Sequence, residues 1–301
     1  MHRITLTLVV IFALAIELTA QSPTPASATA PAPARFEVAS VRLNPNQSQG
    51  GPRRLTDFTL SVVRVQPGGR IESVGNSLQD LILWAYQVNG AYQRIEGKKD
   101  MLRSEFDIFA KAEASTITTR EARAMMRTLL EERLQLKWHW QPREADSYQL
   151  VPARNDGRPG PALKAFTEDC AARASNPSVP FTSPEWMEKG RCGGWSSYNS
   201  EQRGVGISMA AIAERLTREM MAPVSDHTGW TGLYSFKVIA DTSSMPLQER
   251  LRASSTLGAP LASDAAPLLD VFRNELGLKL VKDRTTVNDF VVASVGPLIE
   301  N

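Results

Sequence analysis

Histidine and cysteine are scarce: three and two residues, respectively, in a chain of 301. Zinc needs three or four His, Cys or carboxylate ligands at suitable spacing, and the chain has neither an H-E-x-x-H pair nor a cysteine cluster. It also lacks a Walker loop and a G-x-G-x-x-G turn after a strand, so no metal and no cofactor is expected. A charge excess is missing too: 34 Lys and Arg face 32 Asp and Glu, a net charge of +2 and a pI near 8.6. That is too mild for a nucleic-acid partner. Past residue 20 there is no apolar run that could cross a bilayer. What is present is ordinary for a globular protein, 42% hydrophobic and 22% charged. Wholly disordered, collagenous and polytopic membrane chains are excluded.

Residues 1–20 read as a signal peptide. His2 and Arg3 precede an apolar stretch from Ile4 to Leu18, and Ala20 supplies a small residue for cleavage. A membrane anchor is the alternative, but the stretch is short for a span and contains Glu17. Residues 21–34 form a Pro/Ala/Ser/Thr-rich linker that cannot supply a core. These features predict a periplasmic or secreted protein with no membrane span after cleavage. In such a compartment Cys170 and Cys192 most simply form a disulfide, worth about 3 kcal/mol for a loop of this size. A metal or redox pair is the other option.

The body from residue 35 reads as α+β. Strands are expected at 36–41, 60–65, 70–74, 106–110 and 234–238. Ser77 and Thr118 each precede an acid three residues on, Asp80 and Glu121, the pattern of a capping box. Apolar stripes at helical spacing follow: Leu78, Leu81, Ile82 and Ala85, then Ala122, Met125, Met126, Leu129 and Leu130. Ser208 is the candidate N-cap of a third helix with Met209, Ile212, Ala213, Leu216 and Met220 on one face. Pro267 can open a fourth, with Gly277 as its stop. Leu134, Leu136, Trp138 and Trp140 alternate with polar residues, which predicts a strand. Pro142–Asp146 is read as a turn and 148–151 as the returning strand, and 278–281 with 290–293 as a second such hairpin. Residues 154–204 lose all periodicity and are read as one disulfide-stapled loop.

The body also repeats itself. Glu132–Ala153 aligns on Asn274–Val295 without a gap at an offset of 142 residues, placing Leu134 on Leu276, Lys137 on Lys279 and Tyr148 on Phe290. Ser77-Leu78 matches Ser208-Met209, and the strand at Phe106 matches that at Phe236. This predicts two pseudo-repeated halves, 35–153 and 205–301, each with helices on antiparallel or mixed strands and ending in a helix–hairpin unit.

The runs FEVASV (36–41), GGRIESVGNSLQDLILWAY (68–86), FDIFAKA (106–112), LLEERLQLKWHWQPREADSYQLV (129–151), PVSDHTGWTGLYSFKV (223–238) and LGLKL with FVVASV (276–295) together resemble one family. It is the uncharacterised secreted "soil-associated" family of Acidobacteria-type bacteria, a domain of unknown function. The resemblance implies export, and some members join membrane sensor/peptidase modules of the β-lactam-receptor type. It implies no catalytic residues. His227 stands where the family pattern has Arg, and Trp230 where it has Leu. The repeated unit is also similar to the short N-terminal modules of secretins and TonB-dependent receptors, which bind other envelope proteins.

Asp226 and His227, flanked by Ser225, Thr228 and Thr231, are weak candidates for nucleophilic chemistry, beside a glycosidase-type carboxylate pair whose separation sequence does not give. Adjacent turn residues rarely orient one another as base and orienter, and Asp226 is expected to cap its turn instead. Phe181, Trp186, Trp195 and Tyr198 cluster in the 154–204 segment and are candidate binding residues, since aromatics dominate binding hot spots. Packing onto the body as a lid is the alternative. The reading is thus an exported, non-enzymatic binding or interaction module of the cell envelope. Its partner is an envelope protein or a small extracellular ligand, and a secreted hydrolase acting on polysaccharide or peptide is the alternative.

Overall fold

The computed structural model describes residues 34–44, 63–169, 192–198, 200–249 and 264–299. The chain divides into Met1–Pro33 and a compact unit, Ala34–Asn301. The compact unit is α+β, with three four-stranded sheets among the described residues.

In the first sheet, β1 (Val38–Leu43) pairs with β5 (Glu105–Lys111), which pairs with β3 (Arg70–Ser77), and β3 with β2 (Arg64–Gln66). All pairs are antiparallel. Helix α1 (Leu78–Tyr86) leaves β3 directly, and its N-cap Ser77 forms the expected capping box with Asp80. Helix α3 (Thr119–Arg133) begins with the Thr118–Glu121 box. A short helix, α2 (Lys99–Arg103), precedes β5. The helical stripes pack on this sheet: Leu78, Leu81, Ile82, Ala85 and Met126 are fully buried with Ile108 and Phe290.

The next sheet draws on 154–204 as well as on 205–301, so the second half does not begin at 205 as expected. Its order is β7 (Lys164–Ala165), β11 (Tyr234–Ile239), β9 (Glu201–Ile207), β8 (Gly194–Tyr198), all antiparallel. Helix α4 (Met209–Met220) leaves β9 with Ser208 as N-cap. The turn α5 (Leu268–Val271) runs into a π-helical turn, Phe272–Leu276, stopped by Gly277 in the left-handed region. In both halves a positive-φ glycine lies two residues before the N-cap serine: Gly75 at 58° and Gly206 at 57°. The amide of Gly75 donates to Asp107 and that of Gly206 to Ser235. The bulge therefore uses the same device twice, turning a strand into a helix where only glycine adopts the dihedral at no steric cost.

The hairpins expected at 134–151 and 278–293 are absent. Residues Lys137–Pro152 form one long strand, β6, and Leu278–Ser294 another, β12. They pair with each other, antiparallel, from Leu278 opposite Pro152 to Ser294 opposite Lys137, with one register shift near the end. Pro142 misled the sequence reading. It removes a donor, but among the described residues the only other partner of β6, β10 (Val224–Asp226), reaches just Tyr148–Leu150. The missing N–H thus falls on an open edge, where proline is tolerated. A short strand β4 (Ile95–Glu96) lies parallel to β12 at Phe290, as β10 lies parallel to β6 at Tyr148. These are the two positions that the offset of 142 equates.

The described parts of the 154–204 segment, 154–169, 192–198 and 200–204, hold more regular structure than expected. It contains β7, β8 and the start of β9. Glycines at 193, 194, 204 and 206 hid the strands: Gly204 is there because a Cβ would overlap the Phe236 ring.

Candidate functional site

The third sheet joins the halves. Its order is β10-β6-β12-β4, so each half donates its long strand to a shared ribbon. Phe290 and Val292 of β12 enter the core of the first half, and Leu150 of β6 enters that of the second. One hydrophobic cluster therefore draws on both ends of the chain.

Beside the ribbon the halves differ. After α1 the chain needs residues 87–94 to reach β4, and this connection packs on α1, where Gly90 approaches Leu83. After α4 the matching connection is only 221–223. Beside α4 this leaves a groove of about 330 Å³, onto which Ala210 and Glu214 are exposed while Ala213 and Thr217 lie buried beneath them. Ala210, Ala213, Glu214 and Thr217 of α4 make one wall, Pro223, Val224 and Asp226 the floor, and Asn89 and Tyr92 of the first half the other wall. The two ionisable carboxylates of this lining, Glu214 and Asp226, face no lysine, arginine or histidine among its residues.

The far wall is held rigidly. Asp289 is buried and accepts from the Arg143 guanidinium at 2.6 Å and from the Arg94 amide at 3.0 Å. The guanidinium also donates to the Tyr92 carbonyl at 3.0 Å, and Gln93 donates to the Asn288 carbonyl. The Arg143 hydrogen bond holds the Asp289 carboxyl below its ordinary range despite burial, which opposes the shift.

The comparison with known families follows this architecture. A family model described as a protein of unknown function (DUF3738) matches residues 79–295, more than half of the chain. The chain belongs to the DUF3738 family. No curated protein and no solved structure matches it. The DUF3738 match begins in α1 and ends just past β12, so it takes in both long strands and every residue lining the groove.

In this DUF3738 protein Asp226 caps its own turn, accepting from the Thr228 amide at 2.9 Å and the Thr228 hydroxyl at 2.8 Å. The His227 amide donates to the Leu150 carbonyl, and the Ser225 hydroxyl points to the Tyr148 carbonyl at 3.5 Å. The His227 imidazole lies near Asp283 of β12, whose carboxyl is held low chiefly by the Arg284 amide and the Gln149 side chain. The recorded bonds of Ser225, Asp226 and His227 thus run to three different places and not along a Ser–His–Asp relay. Among the described residues no group of three His, Cys, Asp or Glu converges on a point, and no helix is long and apolar enough to cross a membrane.

The aromatic candidates separate. Trp195 is packed: its indole N–H donates to Gln202 at 3.0 Å, and its ring stacks on Phe272 with centroids 5.3 Å apart. The Arg215 guanidinium lies 5.6 Å from that ring. Tyr198, at the end of β8, is 64% exposed. Phe181, Trp186 and Cys170 lie outside the described residues. Cys192 precedes β8, and no free thiol occurs among the described residues.

Glu214, Tyr92 and Asn89 were not singled out in the sequence. Asn89 and Tyr92 are more than a hundred positions from α4, so no local pattern links them. The one available signal was on α4, where the small, exposed Ala210 lies one turn before Glu214.

Proposed function

We propose that this DUF3738 protein is an exported, non-enzymatic binding module of the cell envelope, periplasmic or secreted, of the kind expected for the soil-associated family. The observation that carries the reading is the groove between the halves. It is open, two carboxylates line it, and it lies beside α4, where the connection to the next strand is only 221–223 against 87–94 after α1. Concave sites between packed units are where ligands and partners are commonly held. The signal-like residues 1–20 and a Cys170–Cys192 bridge, formed in an oxidising compartment, belong to the same reading. A mass difference of two hydrogens on reduction tests the bridge, and free thiols in the native protein would remove it.

Crosslinking of the tagged protein in its own host, read by mass spectrometry, tests the reading as a whole. One dominant envelope protein is the expected result. Absence of any enriched protein, together with turnover of a polysaccharide or peptide substrate, would overturn it in favour of a hydrolase.

A further inference from the structure

The floor of the groove is the edge of a sheet. On either side of β10 the Pro223 carbonyl accepts from the Tyr148 amide and the His227 amide donates to the Leu150 carbonyl, so these groups face β6. Backbone groups alternate along a strand, and Val224 and Asp226 therefore turn theirs toward the groove. Thr217 Oγ1 accepts from the Val224 amide at 3.0 Å. Among the described residues the Val224 carbonyl and the Asp226 amide make no main-chain bond. One acceptor and one donor thus stand side by side on an open edge, below a wall carrying Glu214. An unpaired edge is a template for another strand.

We infer that an extended segment of a partner protein adds to the free edge of β10, with a Lys or Arg side chain between Glu214 and Asp226. The inference rests on the binding-module reading above and names the chemistry of the partner. Charge complementarity selects the occupant: two carboxylates and no basic residue line the groove, with Arg218, one turn along α4, interacting with Glu214 from outside the lining. The small side chain of Ala210, exposed one turn before Glu214, leaves room along α4 for the aliphatic stem of a lysine or arginine. The Arg143 guanidinium on the far wall is engaged by Asp289 and the Tyr92 carbonyl, so it does not neutralise the site. Main-chain pairing supplies affinity and the side-chain pocket supplies specificity, the division of labour in strand-addition sites.

The test uses the full chain and a short alternating Thr/Val peptide with one central Lys, titrated by calorimetry. Counterparts carry a central Glu or N-methylated main-chain amides. The Lys peptide is expected to bind, and both counterparts to bind at least about fivefold more weakly. Glu214→Gln should weaken the Lys peptide by roughly fivefold and leave the Glu peptide unaffected or improved. Ala210→Trp, an exposed position, should block all binding while the thermal transition is kept. Equal binding of Lys and Glu peptides, indifference to N-methylation, or no binding of the Lys peptide overturns the inference. A host partner that still crosslinks to the Ala210→Trp chain overturns it too, but leaves the binding-module reading standing.

Discussion

At the scale of single residues, the Arg143–Asp289 pair carries the clearest energetic consequence. The Asp289 side chain is 3% exposed and that of Arg143 27%. Removing one partner of such a pair leaves a charge with little solvent. Arg143→Ala is expected to cost about 2–4 kcal/mol in urea unfolding at neutral pH, and to loosen the 92–94 connection that the guanidinium ties down. The pH dependence has a definite sign. The folded carboxyl of Asp289 is held below its unfolded value, so the stability it contributes is fully present above the unfolded value of about 3.9. That stability is lost as pH falls through the folded value. Asp289→Asn should flatten the acid limb of the stability curve, and an unchanged limb would show that other carboxylates set it. Tyr86 is the opposite case: burial first, and then its hydrogen bond to Glu131, raise its phenol well above the ordinary range, so it stays neutral at any working pH.

At the scale of elements, the helix starts are worth modest, separable amounts. Ser77→Ala and Thr118→Ala should each cost about 1 kcal/mol by removing a reciprocal cap. Distant caps should add nearly independently in the double variant. The β6–β12 ribbon makes a sharper prediction. Glu144 and Thr286 face each other at its centre, and the Thr286 hydroxyl donates to the Glu144 carboxylate. Glu144→Cys with Thr286→Cys should therefore oxidise to a bridge, since directly opposed strand residues lie within disulfide reach. In two separate hairpins these residues would occupy distant turns, and no bridge would form. The two caps were legible in the sequence because they depend on residues three apart. The ribbon was not, because a strand that pairs across the whole molecule and a local hairpin show the same alternation. Pro142 tipped the reading toward a turn.

At the scale of the whole molecule, the shared ribbon makes the halves interdependent. The two outer sheets have corresponding strand orders, each has a glycine bulge before the helix that leaves it, and each long strand contributes to the core on the other side. A chain cut between β7 and β8 should give two pieces that are unfolded alone by circular dichroism and fold when mixed. Burial of Phe290 and Val292 in the first core, and of Leu150 in the second, requires both. Independent folding of either piece would show that the ribbon is dispensable. For the same reason the intact chain should unfold in a single transition, with fluorescence and circular dichroism coinciding.

The sequence by itself determined what is set by neighbours: the α+β class, the helix starts, the left-handed stop at Gly277, the turn that Asp226 caps, and the buried faces of the helices. It also carried the offset of 142, because repeated local patterns survive in the order of residues. Only the tertiary structure decided that the last strands of the halves pair with each other, and that Trp195 is packed against Phe272. It alone brought Asn89 and Tyr92 to face Glu214. Those facts depend on which distant surfaces bury one another, and burial is a sum over the folded whole that no window of sequence contains.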